Sequence, residues 1–259
     1  MELLALPAFA DNYIWMIHNG SDALVVDPGQ ASPVIQALQQ LGLKLRAILV
    51  THRHPDHTAG IDELKSILTG PIYGPDSLTS AGIDHPVKEG DQIAVGPLTF
   101  DVWQTPGHTQ EHLSFVCYKF LAKNIEAPLV FCGDTLFSAG CGRLFDGHPE
   151  SLLNSLERLA QLPEQTKICP AHEYTLSNLA FAEAVEPGNS ALSTYRQHCL
   201  NLRGRNMPTL PTTLSIERQI NPFLRSTEPD VISAAREHGA TDEQLLAVFT
   251  ALRAWKNIF

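Results

Sequence analysis

The sequence predicts an α/β fold followed by a small helical domain. Two observations carry that expectation: short strand-like runs alternate with helical patterns through residue 173, and beyond Tyr174 the strand-like alternation gives way to helical spacing. A third is positional. Four strand-like runs lead directly into a histidine or an aspartate, at the carboxyl end of a strand, where α/β proteins place ligands.

Residues 2–6, 13–18 and 23–26 form the first runs, separated by turn signals at Asp11-Asn12 and Asn19-Gly20. Asp27-Pro28-Gly29 stops the third run. Ser32-Pro33 then opens a helix whose Val34, Ile35, Leu38 and Leu41 recur at helical spacing. Residues 47–50 are apolar throughout, which suits a strand covered on both faces. Thr51-His52-Arg53-His54-Pro55-Asp56-His57-Thr58 follows at once. Thr58 or Asp56 is then placed to cap a helix carrying Ile61, Leu64, Ile67 and Leu68 on one side. Further along, residues 98–104 lead to Pro106-Gly107-His108, residues 129–132 to Gly133-Asp134, and residues 167–169 to Pro170-Ala171-His172. A helix over 149–162 buries Leu152, Leu153, Leu156 and Leu159. Helical patterns then cover 176–185, 190–202, 230–238 and 241–259, with Met207-Pro208-Thr209-Leu210-Pro211 as a connector. This places a domain boundary near residue 173, dividing the chain into 1–173 and 174–259.

Composition narrows the function. A chain of 259 residues with 44% hydrophobic residues is ample for a packed core. A net charge of -10 argues against nucleic-acid and membrane-surface partners, which require a broad basic field. The five cysteines contain no Cys-x-x-Cys pair and read as reduced packing residues. The chain starts without a basic segment and has no long uncharged span, so a soluble, cytoplasmic protein is expected.

The histidine-rich stretch reads as metal chemistry. A lone histidine near a strand end is ordinarily a hydrogen-bonded structural residue, but His52, His54, Asp56 and His57 lie within six positions. In an extended segment His52 and His54 point the same way, with Asp56 and His57 beyond them, a spacing that permits two metals. Zinc, iron(II) and manganese all accept imidazole and carboxylate, and a pair of metals requires a bridge, for which Asp134 is the isolated acid at a strand end. The absence of thiolate ligands points away from a closed structural zinc site and towards an open, hydrolytic one. His112 reads either as a residue orienting a ligand or as a buried hydrogen-bonded histidine. His18, His85, His148, His198 and His238 have no ligand-like neighbours. No Gly-x-Ser-x-Gly, Walker A or dinucleotide motif is present.

Thr-His-x-His-x-Asp-His, followed by Pro-Gly-His108, Gly-Asp134-Thr and Pro-Ala-His172-Glu-Tyr, resembles the metallo-β-lactamase superfamily. Asp11-Asn12-Tyr13, Gly140-Cys141-Gly142-Arg143 and Arg253-Ala254-Trp255-Lys256 make the chain similar to its glyoxalase II, or hydroxyacylglutathione hydrolase, family. The resemblance implies an αββα sandwich with two divalent metals per chain, zinc foremost and iron or manganese as alternatives. One metal takes His52, His54 and His108, the other Asp56, His57 and His172, and Asp134 bridges. A metal-held hydroxide is then the nucleophile, with no separate catalytic side chain, and S-D-lactoylglutathione is cleaved to glutathione and D-lactate in methylglyoxal detoxification. The resemblance assigns substrate binding to Arg143, Phe145, Tyr174, Arg253 and Lys256. On a helix Arg253 and Lys256 share a face. Phe145 stands where some members have tyrosine, and it lacks that hydroxyl donor. The expected partner is the small-molecule thioester alone, met by a monomer. The rival readings are a persulfide dioxygenase with a single iron, and a metal-dependent phosphodiesterase or nuclease built on the same core.

Overall fold

A computed structural model describes residues 1–122 and 125–259. The chain divides into two compact units. The first comprises Met1–Gln104, Glu111–Gly133 and Cys169–His172, and the second Thr105–Gln110, Asp134–Ile168 and Glu173–Phe259.

The first unit holds two sheets. One contains β1 (Glu2–Ala8), β2 (Asn12–His18), β3 (Asp22–Val26), β4 (Lys44–Leu49), β5 (Ile72–Pro75) and β6 (His85–Val87), hydrogen-bonded in that order. The first three strands are antiparallel, and β3 to β6 run parallel. Parallel neighbours require crossovers, and α1 (Ala31–Leu41) supplies the one between β3 and β4. The second sheet contains β7 (Gln92–Val95), β8 (Leu98–Gln104), β9 (Leu113–Ala122) and β10 (Ile125–Gly133), an antiparallel meander.

Alternation along β2 decides how the layers meet. Ile14 and Met16 join Val25 and Ile48 in a cluster with Val34 and Leu38 of α1, whereas Trp15, between them, faces the other way. Its ring lies 6.4 Å from Phe131 on β10, which lies 6.1 Å from Phe100 on β8. One face of the first sheet is thus covered by helix and the other by the second sheet.

The helix expected beyond Asp56 or Thr58, carrying Ile61, Leu64, Ile67 and Leu68, is broken into two short helices, α2 (Pro55–Thr58) and α3 (Ile61–Leu64). The physical reason is Gly60, whose N–H donates to Pro28 O at 3.0 Å and ties the chain back to the segment after β3. Thr58 does not cap this segment, because its hydroxyl donates backwards to His54 O.

The second unit contains the short hairpin β11 (Leu136–Phe137) and β12 (Gly140–Cys141), and α4 (Pro149–Leu159). Strand β13 (Lys167–Pro170) follows; its Lys167 and Ile168 pair with β14 (Thr212–Thr213). The helices α5 (Thr175–Val185), α6 (Ser190–Arg203), α7 (Leu214–Ile220), α8 (Pro229–Glu237) and α9 (Leu245–Ile258) complete it. Leu179, Ala182, Leu192, Cys199 and Ile220 form one core of this unit; elsewhere in it Phe223 stacks on Phe181 and meets Phe249 edge-on. Among the described residues no helix is long and apolar enough to cross a membrane.

Candidate metal centre

In the first unit β4 ends at Leu49, and Val50-Thr51 carries the chain out to His52, His54, Asp56 and His57. The segment is anchored by Asp27, just past the end of β3. One carboxylate oxygen of Asp27 accepts from Thr51 N at 2.7 Å and the other from the Thr51 hydroxyl at 2.8 Å. The hydroxyl proton is therefore committed. The 3.0 Å contact between Thr51 Oγ1 and His52 Nδ1 must then be donated by the ring, which leaves the lone pair of His52 on Nε2. That Nε2 lies 2.9 Å from His54 Nδ1. His112 stacks on His52 with ring centres 4.9 Å apart. Space here is tight: Gly133 has φ +44, and a Cβ on it would sit 2.5 Å from Thr51 Oγ1 and 2.7 Å from His112 Nε2.

The same tautomer logic applies to two more histidines. His172 Nδ1 meets Asp11 Oδ1 at 2.8 Å, and His57 Nδ1 faces Asp27 Oδ2 at 3.1 Å. An ionised carboxylate only accepts, so both Nδ1 atoms carry the proton and both Nε2 atoms carry a lone pair. Each Nε2 points at one oxygen, Asp56 Oδ2, at 3.4 Å. Asp56, His57 and His172 thus form a group whose donor atoms all lie within 4.8 Å of one another. Asn12 Nδ2 donates to Asp56 Oδ2 at 3.0 Å. Three electron-pair donors converging without a proton between them repel, and a divalent cation relieves that repulsion. The donor set fits one.

The second unit carries a matching arrangement. His108 Nδ1 donates to the Arg143 carbonyl at 2.8 Å, and its Nε2 lies 3.4 Å from Asp134 Oδ2. Gly142 makes this approach possible, since a Cβ there would sit 2.0 Å from the Asp134 carbonyl oxygen. Phe145 lies edge-on to His108 with ring centres 5.0 Å apart and is 65% exposed. The Arg143 side chain is exposed.

The other expected substrate residues lie in this unit too. Tyr174 packs edge-on to Phe137 at 5.1 Å. Arg253 and Lys256 sit one turn apart on α9. Arg253 is only 3% exposed, with Nη1 donating to the Cys141 carbonyl at 2.9 Å and the Gly142 carbonyl at 3.4 Å. Its guanidinium braces the backbone leading to Arg143. Lys256 Nζ lies 5.0 Å over the Phe181 ring, and burial, with Arg253 and Arg143 nearby, brings its pKa down to about 8.

Sequence reasoning read Asp27 as a strand stop and Asp11-Asn12 as a turn. The signal that was there for Asp27 is the one that marked Asp134, an acid directly after an apolar strand. Asp11 belongs to a motif that carries the resemblance, but no local pattern shows its pairing with His172, 161 positions away.

A family model described as "Metallo-beta-lactamase superfamily" matches residues 9–172, and one described as "Hydroxyacylglutathione hydrolase C-terminus" matches residues 173–259. The chain is 51% identical over 263 residues to a hydroxyacylglutathione hydrolase of Albidiferax ferrireducens, with all of both chains covered. It is 46% identical over 261 residues to one of Vibrio cholerae, again with full coverage of both. Among solved structures, the BLEG-1 B3 metallo-beta-lactamase superposes with a TM-score of 0.62 at 23% identity, covering 86% of this chain and 98% of that one. ETHE1 from Myxococcus xanthus does so with a TM-score of 0.56 at 25% identity, covering 85% and 96%.

Proposed function

Because the chain belongs to the hydroxyacylglutathione hydrolases of the metallo-beta-lactamase superfamily, we propose that it cleaves S-(2-hydroxyacyl)glutathione to glutathione and a 2-hydroxy acid. S-D-lactoylglutathione, giving D-lactate in methylglyoxal detoxification, is the expected substrate. The observation that carries the reading is the repeated pattern of a histidine whose Nδ1 faces an oxygen acceptor and whose Nε2 is aimed at a carboxylate, at His57, His172 and His108.

In this reading two divalent metals are held, one by His52, His54 and His108 and the other by Asp56, His57 and His172, with Asp134 shared between them. Zinc suits these ligands, and so do iron and manganese. When bound, the metals supply Lewis acidity, which brings water's pKa to about 7 and polarises a carbonyl. The protein's own residues do the rest. Asp11, Asp27 and the Arg143 carbonyl keep each Nε2 available as a donor, so the ligands enter preorganised. The glutathione moiety is anionic, and Arg143 and Lys256 supply cationic groups for its carboxylates, while Arg253, buried against the Cys141 and Gly142 carbonyls, acts by bracing the backbone that leads to Arg143. Tyr174 offers a hydroxyl and Phe145 an apolar face. The sulfur leaves as a thiolate and requires no acid from the chain.

The match of separate family models to residues 9–172 and 173–259 supports a division of labour between catalysis in 1–173 and substrate binding in 174–259. All five cysteines are buried and free, which supports a reducing, cytoplasmic setting. We read the working form as a monomer acting on a small molecule.

The test is hydrolysis of S-D-lactoylglutathione by purified protein before and after exhaustive metal stripping, and after metals are restored. Activity should vanish and return. Undiminished hydrolysis by protein shown by elemental analysis to be metal-free would sink the metal-dependent mechanism, and no hydrolysis by metal-loaded protein would sink the substrate.

A further inference from the structure

His108 owes its tautomer to one backbone carbonyl, that of Arg143. That carbonyl lies two residues past the β11–β12 hairpin, so whatever fixes the hairpin fixes the acceptor. Its turn places Ala139 at φ +54, the left-handed region that disfavours a non-glycine residue.

The restraint comes from α7, some eighty residues on. Glu217 is fully buried; its Oε2 accepts from Ala139 N at 2.8 Å, and its Oε1 from the Ser138 hydroxyl at 2.8 Å. Asn221, also fully buried, donates from Nδ2 to Phe137 O at 3.1 Å and to Gly140 O at 3.0 Å, so it clasps both strands of the hairpin. The same Nδ2 lies 3.1 Å from Glu217 Oε2, locking the two side chains together. Asn178 of α5 adds a bond to Ser138 O at 3.0 Å. The helical region thereby holds the Ser138 hydroxyl, the Ala139 N–H and the carbonyls of Phe137, Ser138 and Gly140.

We propose that Glu217 and Asn221 are positioning residues for His108: through the hairpin they hold the Arg143 carbonyl where it keeps the His108 proton on Nδ1 and the metal-binding lone pair on Nε2. The helical segment thus has a second role beside meeting the substrate, as the outer support of one metal ligand. This rests on the reading of His108 as a ligand.

The experiment compares metal binding by wild type, Asn221→Ala, Glu217→Ala, Glu217→Gln and His108→Ala, using competition with a chromophoric chelator. The His108 Nδ1–H signal is followed in parallel by 15N NMR of the zinc-loaded chains. His108→Ala should lose one of two metals. Asn221→Ala and Glu217→Ala should bind that metal about 10-fold more weakly, the low end of the range for direct partners of a ligand, and leave the other unchanged. Their His108 Nδ1–H signal should exchange faster with solvent. Glu217→Gln retains an acceptor for Ala139 N and should restore both readouts; it and Ser138→Ala also serve if Glu217→Ala does not fold. If His108→Ala loses a metal while folded Asn221→Ala and Glu217→Ala bind both as wild type does, the inference is overturned. If His108→Ala keeps both metals, the ligand reading falls first and takes the inference with it.

Discussion

At the scale of single residues, the protonation of each side chain decides what it does. His108 and His172 are held as Nδ1–H tautomers by acceptors that cannot donate, a carbonyl and a carboxylate, and His57 Nδ1 faces another, the Asp27 carboxylate. Lys256 is the opposite case, a group whose charge is conditional. Its pKa is brought to about 8, so the ammonium is present below that pH and lost as pH rises through it. If it meets a substrate carboxylate, KM should climb several-fold between about pH 7 and about pH 9. Lys256→Arg, which stays charged throughout, should flatten that rise. Steady-state KM across this range is the measurement, and an equal rise in both proteins would remove Lys256 from substrate binding.

At the scale of elements, the shortest ones carry the most consequence and were the hardest to read. Strands of two residues, β11 and β12, and the seven-residue α7 contain too few periods to stand out in a pattern. The long stripe on α4, with Leu152, Leu153, Leu156 and Leu159 buried, is legible because it repeats over three turns. Within α7, burial pushes Glu217 up to about 6, against the bonds from Ala139, Ser138 and Asn221 that favour its charge. A carboxyl raised above its ordinary 4.5 binds its proton more tightly in the folded state. Its contribution to stability is therefore full below about pH 4.5 and declines as pH rises to about 6. Denaturant unfolding of wild type and Glu217→Gln should show the difference between them shifting against wild type over that interval and level above it. A constant difference from pH 4 to 7 would mean that Glu217 does not titrate there.

At the scale of the whole molecule, the first unit depends on aromatic packing between its sheets. Phe131 is fully buried and lies between Trp15 and Phe100. Phe131→Ala should cost about 3–5 kcal/mol, read from chemical denaturation, through lost burial and the cavity left behind. A loss below about 1 kcal/mol would show that the sheets close over the gap. The sequence by itself determined the strand and helix alternation, the helical character after residue 173 and the candidate donor set, because each is written in short-range periodicity or in a residue's place at a strand end. Only the tertiary structure decided which nitrogen of His52, His57, His108 and His172 carries the lone pair and what fixes the Arg143 carbonyl. The partners responsible, Asp11 for His172 and Glu217 and Asn221 for the hairpin, lie 78 to 161 positions away in the chain, and no local pattern records them.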